Sequence, residues 1–485
     1  MQSLRPHQEK AIEMLRQSMR RGNKRVVLAA PCSFGKTRVA VEILKSVAEN
    51  GKRGIFICDR IKLVDQALAE FDRAGIRVGV MQAYHWRSDP SAPIQIASIQ
   101  TIARRRYKPL FNVAIIDECH THYQATTELM ETTTKALFVG LSATPYSKGL
   151  GKYYSDLIVP ITTQELLEKD YLCPVKYYGG VHANLKGVKT KRLTTGASDY
   201  DPKSLSDAVE KDPSLVGAII ENFKRFGKGQ TIAFSPSIKH SQKLVEMFRA
   251  EGFTAEHIDG YMEADEREEL FEGHDNGDFQ ILSCSRLLNT GYDAPQVQTL
   301  IDCFSTKSKI TFVQRAGRIM RKHATKEEAI YLDHSGNVQW HGWPEDIVPE
   351  SLHCGEKEYS EAQLTKEKTE GELSVCPQCF QHYMIKCVCG YQRPSNKVLE
   401  SDGQILKELK KTNKEWSVDD KSRWLGELQH YGNTKGFKLG WSAFAYKSKF
   451  GVWPNKIEPL HTDQISTDVK GHIMHLQIKR AKSAG

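Results

Sequence analysis

The 485-residue sequence lacks any apolar run approaching the ~20 residues that a membrane-spanning helix needs. It also lacks a signal-like start: MQSLRPHQEKAIEMLRQSMRRGNK is charged throughout, without a continuous apolar core. These two absences predict a chain that is neither exported nor membrane-embedded and that works in the cytoplasm. In that setting its eleven cysteines read as thiols or metal ligands rather than disulfides. Strong charge of one sign is missing as well. The net charge is +9, from 68 Lys and Arg against 59 Asp and Glu. A composition 40% hydrophobic and 26% charged excludes the disordered and collagenous classes. The small excess is unevenly placed: from Ser401 to Gly485 there are 15 Lys and Arg against 9 Asp and Glu, so +6 of the +9 lies there. At about 150 residues per domain the length suggests roughly three domains, and no repeat of solenoid period is visible.

From about residue 25 to 345, short apolar runs alternate with longer amphipathic ones, the pattern of βα units over parallel sheets. The clearest strand candidates are Arg25–Ala30, Gly54–Cys58, Val113–Ile116 and Ala136–Leu141. A second series comprises Thr231–Phe234, Phe279–Cys284, Val297–Cys303 and Ala329–Leu332. Two α/β lobes are the economical reading. Pro174–Asp212, rich in Lys, Gly, Thr and Ser, reads as an irregular connection between them, and Glu350–Ser374 as a solvated linker.

Directly after the first strand stands Ala30-Pro31-Cys32-Ser33-Phe34-Gly35-Lys36-Thr37. A loop ending Gly-Lys-Thr and opening a helix turns backbone N–H groups toward a nucleotide's phosphates; the Lys reaches the β- and γ-phosphates and the Thr hydroxyl ligates Mg²⁺. Ala30 occupies the place of the pattern's first Gly, and Phe34 brings bulk to a loop that ordinarily uses small residues, which weighs against tight nucleotide binding. About eighty residues on, the strand VAII ends in Asp117-Glu118-Cys119-His120. An acidic pair at the C-terminal edge of the same sheet suits Mg²⁺ binding by Asp117 and polarisation of the attacking water by Glu118.

Gly-Lys-Thr with DECH resembles a superfamily 2 helicase of the DEAD/DEAH type. That resemblance implies two RecA-like parallel-sheet lobes in tandem, ATP and Mg²⁺ as cofactors, and roles for further residues in chain order. Arg5-Pro6-His7-Gln8 resembles the motif that reads adenine, with Gln8 presenting its amide to the base. Arg60, Ser98, Gln100 and Thr101 resemble strand-contacting motifs, and Ser142-Ala143-Thr144, with His120, the motif that couples hydrolysis to lobe movement. In the second half, Phe234-Ser235 and Asn289-Thr290-Gly291-Tyr292-Asp293-Ala294-Pro295 resemble the next two motifs. They imply strand contacts by Ser235 and Thr290 and nucleotide contacts by Gly291 and Asp293. Gln314-Arg315-Ala316-Gly317-Arg318-Ile319-Met320-Arg321 fits QxxGRxxR. Arginines supplied from the facing lobe spread over a γ-phosphate's charge are worth ~10³–10⁵ in rate, and Arg318 and Arg321, with Gln314, are the residues that fit. Closer resemblance goes to the RadD-like branch, and similar compact helicases are common in phages, which implies a host-cytoplasm location for a phage-encoded chain.

Cys376, Cys379, Cys387 and Cys389 match a structural Cys₄ Zn²⁺ knuckle, with His382 or Cys354 as substitute ligands because the second pair is CxC where CxxC is usual. In the basic tail, Asp419–Tyr431 and Gly440–Phe450 read as amphipathic helices, with Trp424 and Phe444 as core. Lys435, Lys438, Lys447 and Lys449 face nucleic acid. The domain reading is then lobe 1 over 1–172, lobe 2 over 173–345, a linker over 346–375, the zinc knuckle over 376–394 and a basic helical module over 395–485. The expected activity is ATP-dependent unwinding or remodelling of single-stranded, forked or branched DNA by a monomer, with a repair or replication protein as a further partner. Open alternatives are an RNA helicase and an ATPase switch that recruits a partner without separating strands.

Overall fold

In the computed structural model the described residues are 3–59, 61–82, 85–105, 109–179, 185, 187–193, 198–210, 214–285, 292, 294–355, 374–375, 382–383, 407–409, 417–437, 440–450, 453–454, 457–466, 469–470, 472–473 and 476. Two units result, Met1–Leu409 and Lys410–Gly485.

The first unit holds two seven-stranded sheets. In lobe 1 the strands are β1 (Arg25–Ala29), β2 (Gly54–Cys58), β3 (Val78–Met81), β4 (Ile94–Ser98), β5 (Val113–Ile116), β6 (Leu137–Ser142) and β7 (Asp156–Ile158). Their order is β3-β4-β2-β5-β6-β1-β7, and every pair is parallel. Helices cover both faces of such a sheet, so its strands are buried on both sides and read as unbroken apolar runs; all residues of β2, β4 and β5 are buried. This order sets β5, β6 and β1 side by side, with Ala29 opposite Ser142 and Ile116 opposite Gly140. The loops leaving those three strands therefore converge on one edge, where ligands of open α/β sheets bind.

Lobe 2 uses β8 (Val175–Gly179), then, after a small antiparallel hairpin of β9 (Thr190–Arg192) and β10 (Ser198–Tyr200), β11 (Thr231–Phe234), β12 (Ala255–Ile258), β13 (Ile281–Cys284), β14 (Thr299–Asp302) and β15 (Ala329–Asp333). The short pair β16 (Ser374–Val375) and β17 (His382–Tyr383) is antiparallel. Finally β18 (Lys407–Leu409) joins the sheet edge antiparallel to β8, giving the order β12-β13-β11-β14-β15-β8-β18. Pro174–Asp212 is thus not an irregular connection. β8 is an interior strand of the second sheet, parallel to β15, and the helix Pro202–Glu210 follows the hairpin. A strand of VKYYG carries little periodicity of its own; its burial comes from a partner some 150 residues downstream.

The second unit has its own core. Helices Val418–Thr434 and Trp441–Phe450 bury Trp424, Leu425, Leu428, Ala445 and Tyr446 against Val469 and Ile473. Trp424 is core as expected. Phe444 is not: it is 66% exposed, with its ring edge-on to Trp453 at 5.0 Å. No helix among the described residues is long and apolar enough to cross a membrane.

Candidate active site

The loop after β1 is shaped by two backbone reversals. Ser33 (φ 63°) and Gly35 (φ 86°) adopt left-handed conformations, and Gly35 caps the helix Lys36–Glu49. Gly35 is required twice: a Cβ there would lie 2.4 Å from Gln8 Nε2, on top of the positive φ. The first helical residues, Lys36 and Thr37, line the cleft, and a helix N-terminus favours an anion. Phe34 does not obstruct it. Its ring is fully buried, 5.0 Å from the His7 ring, which in turn packs edge-on to Tyr171.

Gln8 braces the same loop from the first helix. Its amide donates to the Phe34 carbonyl at 2.9 Å and accepts from the Arg5 N–H at 2.9 Å, and the side chain is buried. One end of the amide thus braces the phosphate loop and the other caps the first helix, and each end keeps a second hydrogen-bonding position. Arg5, with its guanidinium over the Tyr171 ring at 5.0 Å, and Tyr171 itself line that side of the cleft.

Asp117 and Glu118 leave β5 with Glu118 at φ 47°, a costly conformation for a non-glycine residue and one that persists at functional sites when the surroundings impose it. The Glu118 N–H is held by Asp117 Oδ1 at 3.0 Å, and Lys36 Nζ stands 3.4 Å from Glu118 Oε1. Burial and then the charge of Glu118 push the Asp117 carboxyl up. Burial alone would raise Glu118 too, but Lys36 and His120 outweigh it and hold Glu118 low. Burial likewise opposes the Lys36 ammonium, whose pKa is nevertheless raised by Glu118, Cys32 and Asp117. The site thus holds one carboxylate kept ionised beside a carboxyl for which burial and the neighbouring Glu118 charge outweigh the attraction of Lys36.

Behind it, His120 Nδ1 is 3.0 Å from Ser142 Oγ and 3.1 Å from Glu118 Oε2, while Ser142 Oγ accepts from the Thr144 N–H at 3.0 Å. Lobe 2 reaches this network directly. Gln314 Nε2, on the helix Lys309–Ile319, lies 3.5 Å from both His120 Nε2 and Thr144 Oγ1. One turn on, Gly317 fits against Cys32 so closely that a Cβ would stand 2.4 Å from its Sγ. Pro31, Cys32, Ser33, Gly35, Lys36, Thr37, Asp117, Glu118, His120, Ala143, Gln314, Arg318 and Arg321 all line one cleft of about 530 Å³ between the lobes. Its volume falls within the range of small-ligand sites. Arg318 donates to the Tyr292 carbonyl.

Among the strand-contact residues, Ser98 and Ser235 are buried. Ser98 caps the helix Ile99–Arg104 and bonds Thr101 Oγ1 at 2.9 Å; Ser235 Oγ faces His240 Nδ1 at 3.2 Å. Both hydroxyls therefore lie inside their lobes rather than on a surface. Gln100 is exposed and donates to the Asp59 carbonyl at 2.7 Å. Arg60, Thr290, Gly291, Asp293, Cys376, Cys379, Cys387 and Cys389 lie outside the described residues. Among those described, no three His, Cys, Asp or Glu side chains are grouped to hold a metal.

Two features had no sequence signal. Tyr171, preceded by Asp170 at φ 59°, lines the cleft and packs against His7 and Arg5. Arg315, between the expected Gln314 and Arg318, points the other way. It is fully buried, pairs with Asp302 at 3.1 Å and is flanked by the rings of Phe234 and Phe304.

Residues 1–147 match the family model described as type III restriction enzyme, res subunit, and residues 214–323 the helicase conserved C-terminal domain. A 51.5 kDa protein of a Lactococcus phage (isolate 7-9) is 27% identical over 365 residues, 73% of this chain and 74% of that one. The ATP-dependent DNA helicase uvsW of Enterobacteria phage T4 is 20% identical over 331 residues, 64% of this chain and 65% of that one. The solved structure of the ATP-dependent type ISP restriction-modification enzyme LlaBIII bound to DNA superposes with a TM-score of 0.52 at 19% identity. It covers 72% of this chain and 29% of that one, and shows the shared two-lobe fold.

Proposed function

Because the chain is a superfamily 2 helicase, a nucleic-acid-dependent ATPase, we propose that it acts on DNA, unwinding or remodelling single-stranded, forked or branched substrates in replication, recombination or repair. The observation that carries this reading is Gln314 of lobe 2 standing 3.5 Å from His120 and Thr144 of lobe 1. A side chain that bridges the lobes beside the catalytic carboxylate ties ATP turnover to lobe movement, and lobe movement is what advances a motor along a strand.

In this proposal Lys36 and the loop N–H groups hold the phosphates, and Thr37 and Asp117 hold Mg²⁺, which supplies charge neutralisation on the phosphate oxygens. The Asp117 carboxyl, pushed up by burial and by Glu118, would be held ionised by such a cation. Glu118 orients the attacking water and takes its proton as the bond to the leaving ADP breaks. Arg318 and Arg321, both lining the cleft, face the γ-phosphate charge. Arg60, Gln100, Thr101 and Thr290 grip the strand's backbone, which makes the action sequence-independent. The uvsW likeness and the DNA-bound state of the LlaBIII structure favour DNA over RNA, and the Lactococcus phage protein favours a phage origin over a cellular RadD-like one.

We further propose a structural Zn²⁺ on Cys376, Cys379, Cys387 and Cys389. Val375 and His382, which bracket Cys376 and Cys379 in the sequence, pair antiparallel through β16 and β17, and the CxxC and CxC spacing supplies four thiols for a tetrahedral site. Elemental analysis of the purified protein tests this, and one equivalent of zinc is expected. The function is tested by ATP turnover and strand displacement on single-stranded, forked and duplex DNA and on RNA. Forked or single-stranded DNA should stimulate turnover most. Stimulation by RNA alone overturns the DNA reading, and turnover without displacement on any fork favours the recruiting switch.

A further inference from the structure

From Lys435 to Ile457 the chain carries five lysines, six aromatic residues and no acidic residue. Most of those aromatics are spent on the core of the second unit. Tyr446 is fully buried, Trp441 and Phe450 pack against the core, and Phe437 packs against Trp441 at 4.9 Å. Phe444 and Trp453 are left over. Phe444 is 66% exposed and Trp453 40% exposed, yet they contact each other edge to face at 5.0 Å. Lys447, one turn beyond Phe444 on the same helix, places its Nζ 4.4 Å from the Trp453 ring centroid. Phe444 and Trp453 stay open to water although an aromatic core lies in the same unit, and exposed Lys447 stands beside them.

We infer that Phe444, Trp453 and Lys447 form a second binding site for single-stranded nucleic acid, separate from the motor motifs. An unstacked base lies on the open face of Phe444, and Lys447 meets an adjacent phosphate. The chemistry favours a single strand over a protein partner: a protein docking face of this kind would carry rim charges of both signs, whereas this stretch carries one sign only, matched to a polyanion. It favours a single strand over duplex because only unpaired bases offer a free π-face. The inference rests on the proposed action on nucleic acid and adds where a strand is held outside the motor lobes.

The test uses the full chain, fluorescein-labelled oligo-dT, a blunt duplex of equal length, and the variants Phe444→Ala, Trp453→Ala and Lys447→Gln. Fluorescence anisotropy across a salt series gives Kd and its salt slope. Phe444→Ala and Trp453→Ala should each weaken oligo-dT binding about 5- to 100-fold, the range for losing one stacked base, with duplex binding within about twofold of wild type. Lys447→Gln should shallow the salt slope by about 0.7. ATP turnover without nucleic acid should be unchanged in all three. Phe444→Tyr, which keeps the ring, should bind like wild type and separates stacking from folding defects. Equal oligo-dT affinity in wild type and Phe444→Ala overturns the site, as does an equal loss on duplex. A wild-type chain that binds no nucleic acid at all overturns the motor reading itself.

Discussion

Lys36 Nζ rests 3.4 Å from Glu118 Oε1, so the cation that would meet the nucleotide's phosphates is paired with the carboxylate that would activate water. ATP binding must draw Lys36 toward phosphate, which frees Glu118 at the moment water needs it. Replacing either group removes transition-state stabilisation in a partly dry site, typically ~10²–10³ in rate per electrostatic contact. Lys36→Ala and Glu118→Gln are each expected to cut DNA-stimulated ATP turnover at least 100-fold. A phosphate-release assay checks this, and a variant keeping a tenth of wild-type turnover contradicts the assigned roles.

Gln314 makes one of the polar contacts between the lobes. Gln314→Ala loses two long hydrogen bonds, to His120 and Thr144, together worth about 1–3 kcal/mol. Because both partners lie behind the catalytic pair rather than on the nucleotide, the loss should fall on stimulation by DNA. Turnover with single-stranded DNA is expected to drop about 10-fold or more while fluorescent-ADP affinity stays within about threefold. An equal loss of both would make Gln314 a nucleotide ligand instead.

Arg315 illustrates what the sequence conceals. It sits inside a motif read as arginines for phosphate, yet its pair Asp302 also accepts from Tyr331 at 2.5 Å and from Asn337 at 2.8 Å, all buried. Removing one partner of such a network leaves a charge stranded in the core at a cost of about 3–5 kcal/mol. Arg315→Met should therefore lower the Tm by several degrees with little change in ATP affinity, and Arg315→Met with Asp302→Asn should recover much of it. Scanning calorimetry measures both.

The doubly buried strands were legible because covering both faces makes them continuous apolar runs; β2, β5 and β11 stand as expected. The strands β3, β7 and β12 were not, since each is three or four residues long and lies at or near a sheet edge. The meeting of Gly35, Lys36 and Glu118 on one cleft was legible because each stands at the C-terminal end of a buried strand of the same parallel sheet. Side-chain direction was not. Nothing local tells Arg315 from Arg318 or Phe444 from Trp424, because the neighbours that decide are distant in the chain.

Lobe 2 also stores a pH dependence. Burial lowers His240 and His274 to about 4, and His334 to about 3 with His240 adding to the effect. Glu210 opposes and Lys243 reinforces the shift at His240. Asp275 and two backbone contacts oppose it at His274. With the unfolded value near 6.5, each histidine binds a proton more readily unfolded than folded between about pH 6.5 and 4, so stability is full above that window and falls as pH drops into it. Each should cost about 1.4 kcal/mol by pH 5.5. Urea midpoints at pH 7.5 and 5.5 check this, and a midpoint that does not move refutes it.

Gly317 of lobe 2 packs against Cys32 of lobe 1, and this contact yields a sharp genetic test. A Cβ at Gly317 would lie 2.4 Å from Cys32 Sγ and 2.7 Å from Cys32 Cβ, nearer than real Cβ contacts come, so Gly317→Ala must push the helix Lys309–Ile319 away from the phosphate loop. That helix carries Gln314 and Arg318, so the displacement should lower turnover with DNA without unfolding either lobe. Cys32→Gly removes both offending atoms, in a loop that tolerates glycine. The pair should then be non-additive: Gly317→Ala alone impaired, Gly317→Ala with Cys32→Gly restored toward the Cys32→Gly level. Additive losses would mean that Gly317 matters for its backbone and not for the room it leaves to Cys32.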